Sequence, residues 1–161
     1  MSVHDIITEQ DEAQSHQHTF CLWPKMWQEY SKTTNRSFKW RENKFAITEV
    51  EKVPDKAGLY TFLIEPRVAN HPSCSYLMYV GQTGNLRIRF QQYLKEKDRE
   101  SGRPKVVRLL NKYPDYLFFC YTILSNTQNI DILEQALISA YIPPCNDRLP
   151  ASINKVVEAL R

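Results

Sequence analysis

The sequence predicts an α+β domain with an N-terminal helical extension and a C-terminal helix. Three short segments, 58–64, 76–80 and 116–124, are dense in aromatic and β-branched residues, as strands are. Amphipathic stretches at helical spacing, 85–97, 105–112 and 129–141, are interleaved with them. Trp23, Trp27 and Tyr30 recur at i, i+4 and i+7 ahead of this core, and 151–161 reads as a short amphipathic helix behind it. The expected division is 1–50, a tail and an aromatic and basic accessory segment, and 51–161, the main domain with its C-terminal helix.

Residues 1–18 are polar and acidic and carry His4, His16 and His18, which predicts a mobile tail or a loosely held first helix. Pro24 suits the first turn of the next helix. Lys25, Lys32, Arg36, Lys39 and Arg41 alternate with its aromatics. Such a segment either stacks nucleic-acid bases or packs its rings on the main domain, and packing is the preferred reading. Residues 44–53 are expected as a short strand or an extended approach, and 54–58 as a turn. The strand at 58–64 leads into a loop with Pro66 and Pro72, and 76–80 pairs back on it antiparallel. Beyond Gly81, Thr83 and Asn85 are helix starters and Gly84 frees the turn. Leu86, Phe90, Tyr93 and Leu94 then face inward. After a polar break at 98–104 and a basic helix at 105–112 comes 116–124, apolar throughout and therefore central. The helix at 129–141 stops at Pro143-Pro144.

Two features carry chemistry. Ile130, Leu133, Leu137, Ile138 and Tyr141 form the expected buried stripe of the 129–141 helix, and Glu134 falls inside it. A carboxylate there is costly unless it is paired with an arginine, hydrogen-bonded or bound to a cation, and the sequence leaves these open. The turn after Gly81 opens a helix N-terminus, a natural seat for an anion, with Arg89 and Tyr93 projecting beside it. Between 85 and 112, nine Lys/Arg oppose three acids, a local charge of +6 that leaves −3 for the rest. Such a zone is either a nucleic-acid contact surface or two solvated helix faces with their linker.

At 161 residues, 42% hydrophobic and 24% charged, the composition is that of one ordinary domain. No apolar run approaches the ~20 residues of a membrane span, and the N-terminus lacks the order of a signal peptide. Cys21, Cys74, Cys120 and Cys145 are far apart and form no metal-ligand pairs, so they are expected as free thiols in an intracellular, cytoplasmic protein.

Taken together, Gly58-Leu59-Tyr60, Tyr79-Val80-Gly81, Arg89 with Tyr93 one turn on, Glu134, and Asn146 twelve residues after it resemble the GIY-YIG nuclease family in order and spacing, over about 57–147. The resemblance implies a small three-stranded, mainly antiparallel sheet flanked by helices. It also implies divalent-metal-dependent hydrolysis of DNA phosphodiesters. On that footing Glu134 would hold Mg²⁺ or Mn²⁺ and Arg89 the scissile phosphate. Tyr60, ahead of Tyr79, would orient or deprotonate the attacking water, and Tyr93 would join the bonding around the phosphate. Gly58, Gly81 and Asn146 would support the site, and Arg87, Lys95, Lys97, Arg103, Lys105 and Arg108 would grip the nucleic-acid backbone. Three departures stand out: the 18 residues 61–78 exceed the family's compact turn, Gln82 stands where relatives often carry a basic residue, and Tyr93 replaces a frequent histidine. The size fits a small restriction or defence nuclease or a mobile-element enzyme. A non-catalytic nucleic-acid-binding module of the same fold and an RNA nuclease are the alternatives. Cutting both strands would need a homodimer or two successive nicks.

Overall fold

The computed structural model describes residues 2–33 and 37–160, with the side chains of His4 and Thr33 set aside. Arg36, one of the expected basic residues of the accessory segment, lies outside the described residues. Four antiparallel strands form one sheet: β1 (Arg41–Lys44), β2 (Gly58–Ile64), β3 (Tyr76–Thr83) and β4 (Leu117–Ile123), in the order β1-β4-β2-β3. The apolar β4 is interior, as its composition demands, and β2 pairs antiparallel with both β3 and β4. The fourth strand, β1, is an addition to the expected three. Its residues Arg41-Glu42-Asn43-Lys44 are largely exposed and join the edge of β4 through the backbone. The strand expected at 44–53 is corrected accordingly: β1 ends at Lys44, and Ile47–Lys52 is a 3-10 turn. Val50 and Val53, three residues apart, point inward there, which is the spacing of a three-residue turn rather than of a strand.

Helices cover both faces of the sheet. On one face α3 (Leu86–Arg99) and α4 (Pro104–Lys112) set Leu86, Phe90, Tyr93, Val106 and Leu110 against Tyr60, Phe62 and Phe119. On the other, α5 (Ile130–Tyr141) sets Leu133, Leu137 and Ile138 against Leu59 and Val80. Alternate residues of β2 thus serve opposite cores, which is why Gly58–Ile64 reads as an unbroken apolar run. The expected stripe of α5 needs one correction: Tyr141 is exposed, because the helix ends there and Ile142, at φ 45°, turns the chain away.

The accessory helix α2 (Pro24–Thr33) lies along α5. The Trp27 indole N–H donates to the Ala140 carbonyl at 2.8 Å, and Tyr30 packs on the core beneath α5. The first helix, α1 (Val3–Ser15), is capped by Ser2 and Asp5 and is exposed along its length. Beyond it His16 and His18 are fastened to the Tyr113 hydroxyl at 3.1 and 2.8 Å. The C-terminal α6 (Ala151–Ala159) buries Ile153. Among the described residues no helix is long and apolar enough to cross a membrane.

Candidate active site

Tyr60 and Gly81 face each other across β2 and β3. A Cβ on Gly81 would lie 2.5 Å from the Tyr60 ring and hydroxyl, so glycine is what lets the phenol lie flat over the neighbouring strand. Gly58 is equally confined, since a Cβ there would meet the Thr122 carbonyl at 2.1 Å. The turn after β3 launches α3 through Asn85, whose side chain accepts from the Ile88 amide. One turn on, Arg89 reaches back to the sheet: Nε donates to the Tyr60 hydroxyl at 3.2 Å and Nη2 to the Tyr93 hydroxyl at 3.0 Å. The two phenols are themselves bonded at 2.9 Å, and the guanidinium lies 4.2 Å from the Tyr93 ring centroid. Arg89 Nη1 bonds Gln92, with Glu96 at 3.6 Å. Burial pushes the Tyr60 hydroxyl up to about 12, with Tyr79 adding to the rise and Arg89 opposing it. Burial, then Tyr60 and Tyr79, raise Tyr93 well above the usual phenol value.

Tyr79 occupies the edge of the sheet. The pairing of β2 with β3 shifts between Phe62 and Leu63, leaving Met78 as an extra residue, so Met78 and Tyr79 both enter the α3/α4 core. The Tyr79 hydroxyl accepts from Arg103 Nη2 at 2.6 Å. Tyr79, Arg103, Glu134 and Asn146 then line a cavity of about 480 Å³ at the sheet edge. Glu134 is half-buried there and makes no ion pair among the described residues, so the expected alternative of a bonded arginine partner is not what the fold supplies. Burial raises its carboxyl above the usual range and Asp131 adds to this, while Arg103 and the Gln82 backbone N–H pull the other way. Asn146 clasps β3 with both ends of its amide: Oδ1 accepts from the Val80 N–H and Nδ2 donates to the Val80 carbonyl, each at 2.9 Å. The neighbouring Cys145 N–H takes the Met78 carbonyl. The outer edge of β3 is thereby paired.

The structure thus gathers the predicted residues in two clusters joined through Tyr79: Tyr60, Tyr93 and Arg89 on the α3 side, Glu134, Arg103 and Asn146 on the α5 side. Arg87 sits elsewhere, bonded to the Val53 carbonyl at 2.8 Å and lying 3.3 Å from Asp55, where it ties α3 to the turn before β2. Lys105 lies 3.5 Å from Asp147, whereas Lys95, Lys97 and Arg108 make no ion pair among the described residues. Sequence reasoning passed over Gln92 and Glu96, although their spacing from Arg89 on one helix face signals them. It also passed over Asp131, which accepts from Gln82 at 2.7 Å. A larger concavity, about 760 Å³ with apolar walls of Phe20, Ile64, Tyr76 and Tyr113, holds none of these groups.

Among the described residues no three His, Cys, Asp or Glu side chains converge as a metal cage. A half-buried carboxylate lining an open cavity instead fits a hard divalent ion that would keep most of its waters and take its remaining ligands from a phosphate.

No curated protein matches the chain. Among solved structures, the magnesium-bound N-terminal endonuclease domain of UvrC from Thermotoga maritima is 23% identical, covering 62% of this chain and 92% of its own, with a TM-score of 0.43. A point mutant of that domain bound to its catalytic divalent cation is 23% identical, over 63% and 93%, with a TM-score of 0.44. The family model of the GIY-YIG catalytic domain matches residues 60–146, from the first of these tyrosines to the asparagine that clasps β3, and the chain belongs to the GIY-YIG family.

Proposed function

We propose that the chain is a divalent-metal-dependent endonuclease that hydrolyses DNA phosphodiester bonds inside the cell. The observation that carries the reading is Glu134: a carboxylate raised by burial, without an ion-pair partner among the described residues, in a cavity that also holds Tyr79. Glu134 would hold Mg²⁺ or Mn²⁺, which when bound would supply Lewis-acid stabilisation of charge on the phosphate. Arg89 is kept in place by Tyr60 and Tyr93, and its Nη1, bonded to Gln92 and near Glu96, would exchange them for a nonbridging oxygen of the phosphate. Tyr60, with its hydroxyl at about 12, keeps its proton at neutral pH and orients the attacking water by hydrogen bonding. Tyr93 buttresses Arg89 from its aromatic face, and Asn146 fixes the strand that carries Tyr79. Lys95, Lys97, Lys105 and Arg108 supply backbone contacts that position the nucleic acid without reading its sequence.

Plasmid cleavage with and without Mg²⁺, comparing wild type with Glu134→Ala and Arg89→Ala at matched folding, tests the reading. Nicking or linearisation that needs the metal and disappears in both variants supports it. Linearisation without a nicked intermediate would indicate two active sites acting together, as in a homodimer. An uncut plasmid beside a cut RNA moves the substrate to RNA. No cutting of either, with salt-sensitive binding indifferent to Glu134→Ala, leaves a binding module and refutes the enzyme.

A further inference from the structure

We infer that Arg103 is a second guanidinium of the catalytic centre, contacting the scissile phosphate from the side of Glu134, rather than one more backbone contact in the basic zone. The inference rests on the nuclease reading above. Four observations carry it. Arg103 stands at the N-cap of α4, outside the helix, and its Nη2 reaches the Tyr79 hydroxyl at 2.6 Å. Its guanidinium lies 5.0 Å from the Tyr79 ring centroid, so the aromatic face holds it as well as the hydroxyl. It lines the same cavity of about 480 Å³ as Glu134. And it makes no ion pair among the described residues, whereas Arg89 has Glu96, and Arg87 has Glu51 and Asp55.

A guanidinium and a carboxylate that share a cavity normally close into a bonded pair. Arg103 and Glu134 attract each other without closing into an ion pair, and the guanidinium, which lines the cavity, makes one hydrogen bond to a phenol, leaving its other donors without a side-chain partner among the described residues. The charge pattern, a cationic donor on one wall and a carboxylate without an ion pair on another, is complementary to a phosphodiester anion carrying a divalent cation: the phosphate oxygens would meet the guanidinium and the carboxylate would hold the cation. Arg148, also on the cavity wall, is exposed and bonds no site tyrosine. Gln82 does not substitute, since its amide is committed to Asp131 at 2.7 Å. Arg103 is therefore the cation placed to meet charge as it builds on the phosphate.

The test is steady-state cleavage of a short duplex containing the site cut by wild type, with Mg²⁺, for Arg103→Ala and Arg103→Gln, each first shown to melt like wild type. Arg103→Gln retains an N–H donor toward Tyr79 but no charge. The expected result is a loss of about 100-fold in kcat in both, with KM within about threefold of wild type, as for an interaction made in the transition state. Millimolar guanidinium chloride should restore part of the activity of Arg103→Ala and none of Glu134→Ala, which a purely structural arginine would not allow. Cleavage by Arg103→Ala within threefold of wild type overturns the inference and leaves the nuclease reading standing. Full activity in Arg103→Gln, or a change in KM alone, also overturns it and reduces Arg103 to a holder of Tyr79 or a binding contact. Wild type that cuts neither DNA nor RNA removes the nuclease reading and this inference with it.

Discussion

Asn146→Ala isolates the clasp on β3. The wild-type amide satisfies both the N–H and the carbonyl of Val80, at 2.9 Å each, on the outer edge of the strand that carries Tyr79 and Gly81. Truncation leaves two partly buried backbone groups, and at ~1–1.5 kcal/mol each, allowing for partial access of water, the loss is about 2–3 kcal/mol. For a chain of this size that corresponds to a fall in Tm of roughly 4–12 °C. Asn146→Asp should fall between the two, because the carboxylate still accepts from the N–H but faces the carbonyl with a second acceptor. Differential scanning calorimetry on the three proteins reads the values directly. A shift under 1 °C for Asn146→Ala would show that the clasp does not hold the edge of β3, and the account of Asn146 as the support of Tyr79 would fall with it.

Two further perturbations probe the site. Gly81→Ala puts a methyl 2.5 Å from the Tyr60 ring and should destabilise by about 1–3 kcal/mol in urea unfolding while abolishing cleavage; a double variant with Tyr60→Phe should recover part of the stability, and strict additivity would contradict the contact. Because the Glu134 carboxyl is raised in the folded state, its contribution to stability is complete below its unfolded value and is lost as pH rises through the folded one. Glu134→Gln should therefore gain in Tm on wild type between pH 4 and pH 7, and millimolar Mg²⁺ or Mn²⁺ should raise the Tm of wild type but not of the variant. A gap that narrows with pH, or an equal metal shift in both, would refute this account of the carboxylate.

The parts that were legible in the sequence are those where one local rule determines the outcome. β2 and β4 bury both faces and so appear as continuous apolar runs, and Asn85 marks the start of α3 because few other residues satisfy a helix N-terminus so well. Glu134 stood out because a charge in an apolar stripe is conspicuous on its own helix. β1 was invisible because Arg41-Glu42-Asn43-Lys44 contributes backbone and almost no buried side chain. The proximity of Arg103 to Tyr79 was equally hidden. It depends on a reversal of the chain after α3, where Glu100 at φ 50° and Gly102 at φ 123° adopt left-handed conformations. Charge counting sees only a basic residue in a basic stretch. The meeting of Arg89 with Tyr60 likewise follows from the register of β2 against the α3 face, which no single segment encodes.

The two hydrogen bonds between Asn146 and Val80 turn the intervening chain into a closed ring. The polypeptide from residue 80 to residue 146 leaves the sheet edge, builds α3, α4, β4 and α5, and returns to the residue where it started. The segment matched by the family model ends at that point of return. The C-terminal helix α6 lies outside the ring, which closes before that helix begins. A chain cut between Tyr141 and Cys145, by contrast, would lose only a few residues from the described site, yet would bare the backbone of an edge strand and convert a closed fold into one that seeks a strand from its neighbours.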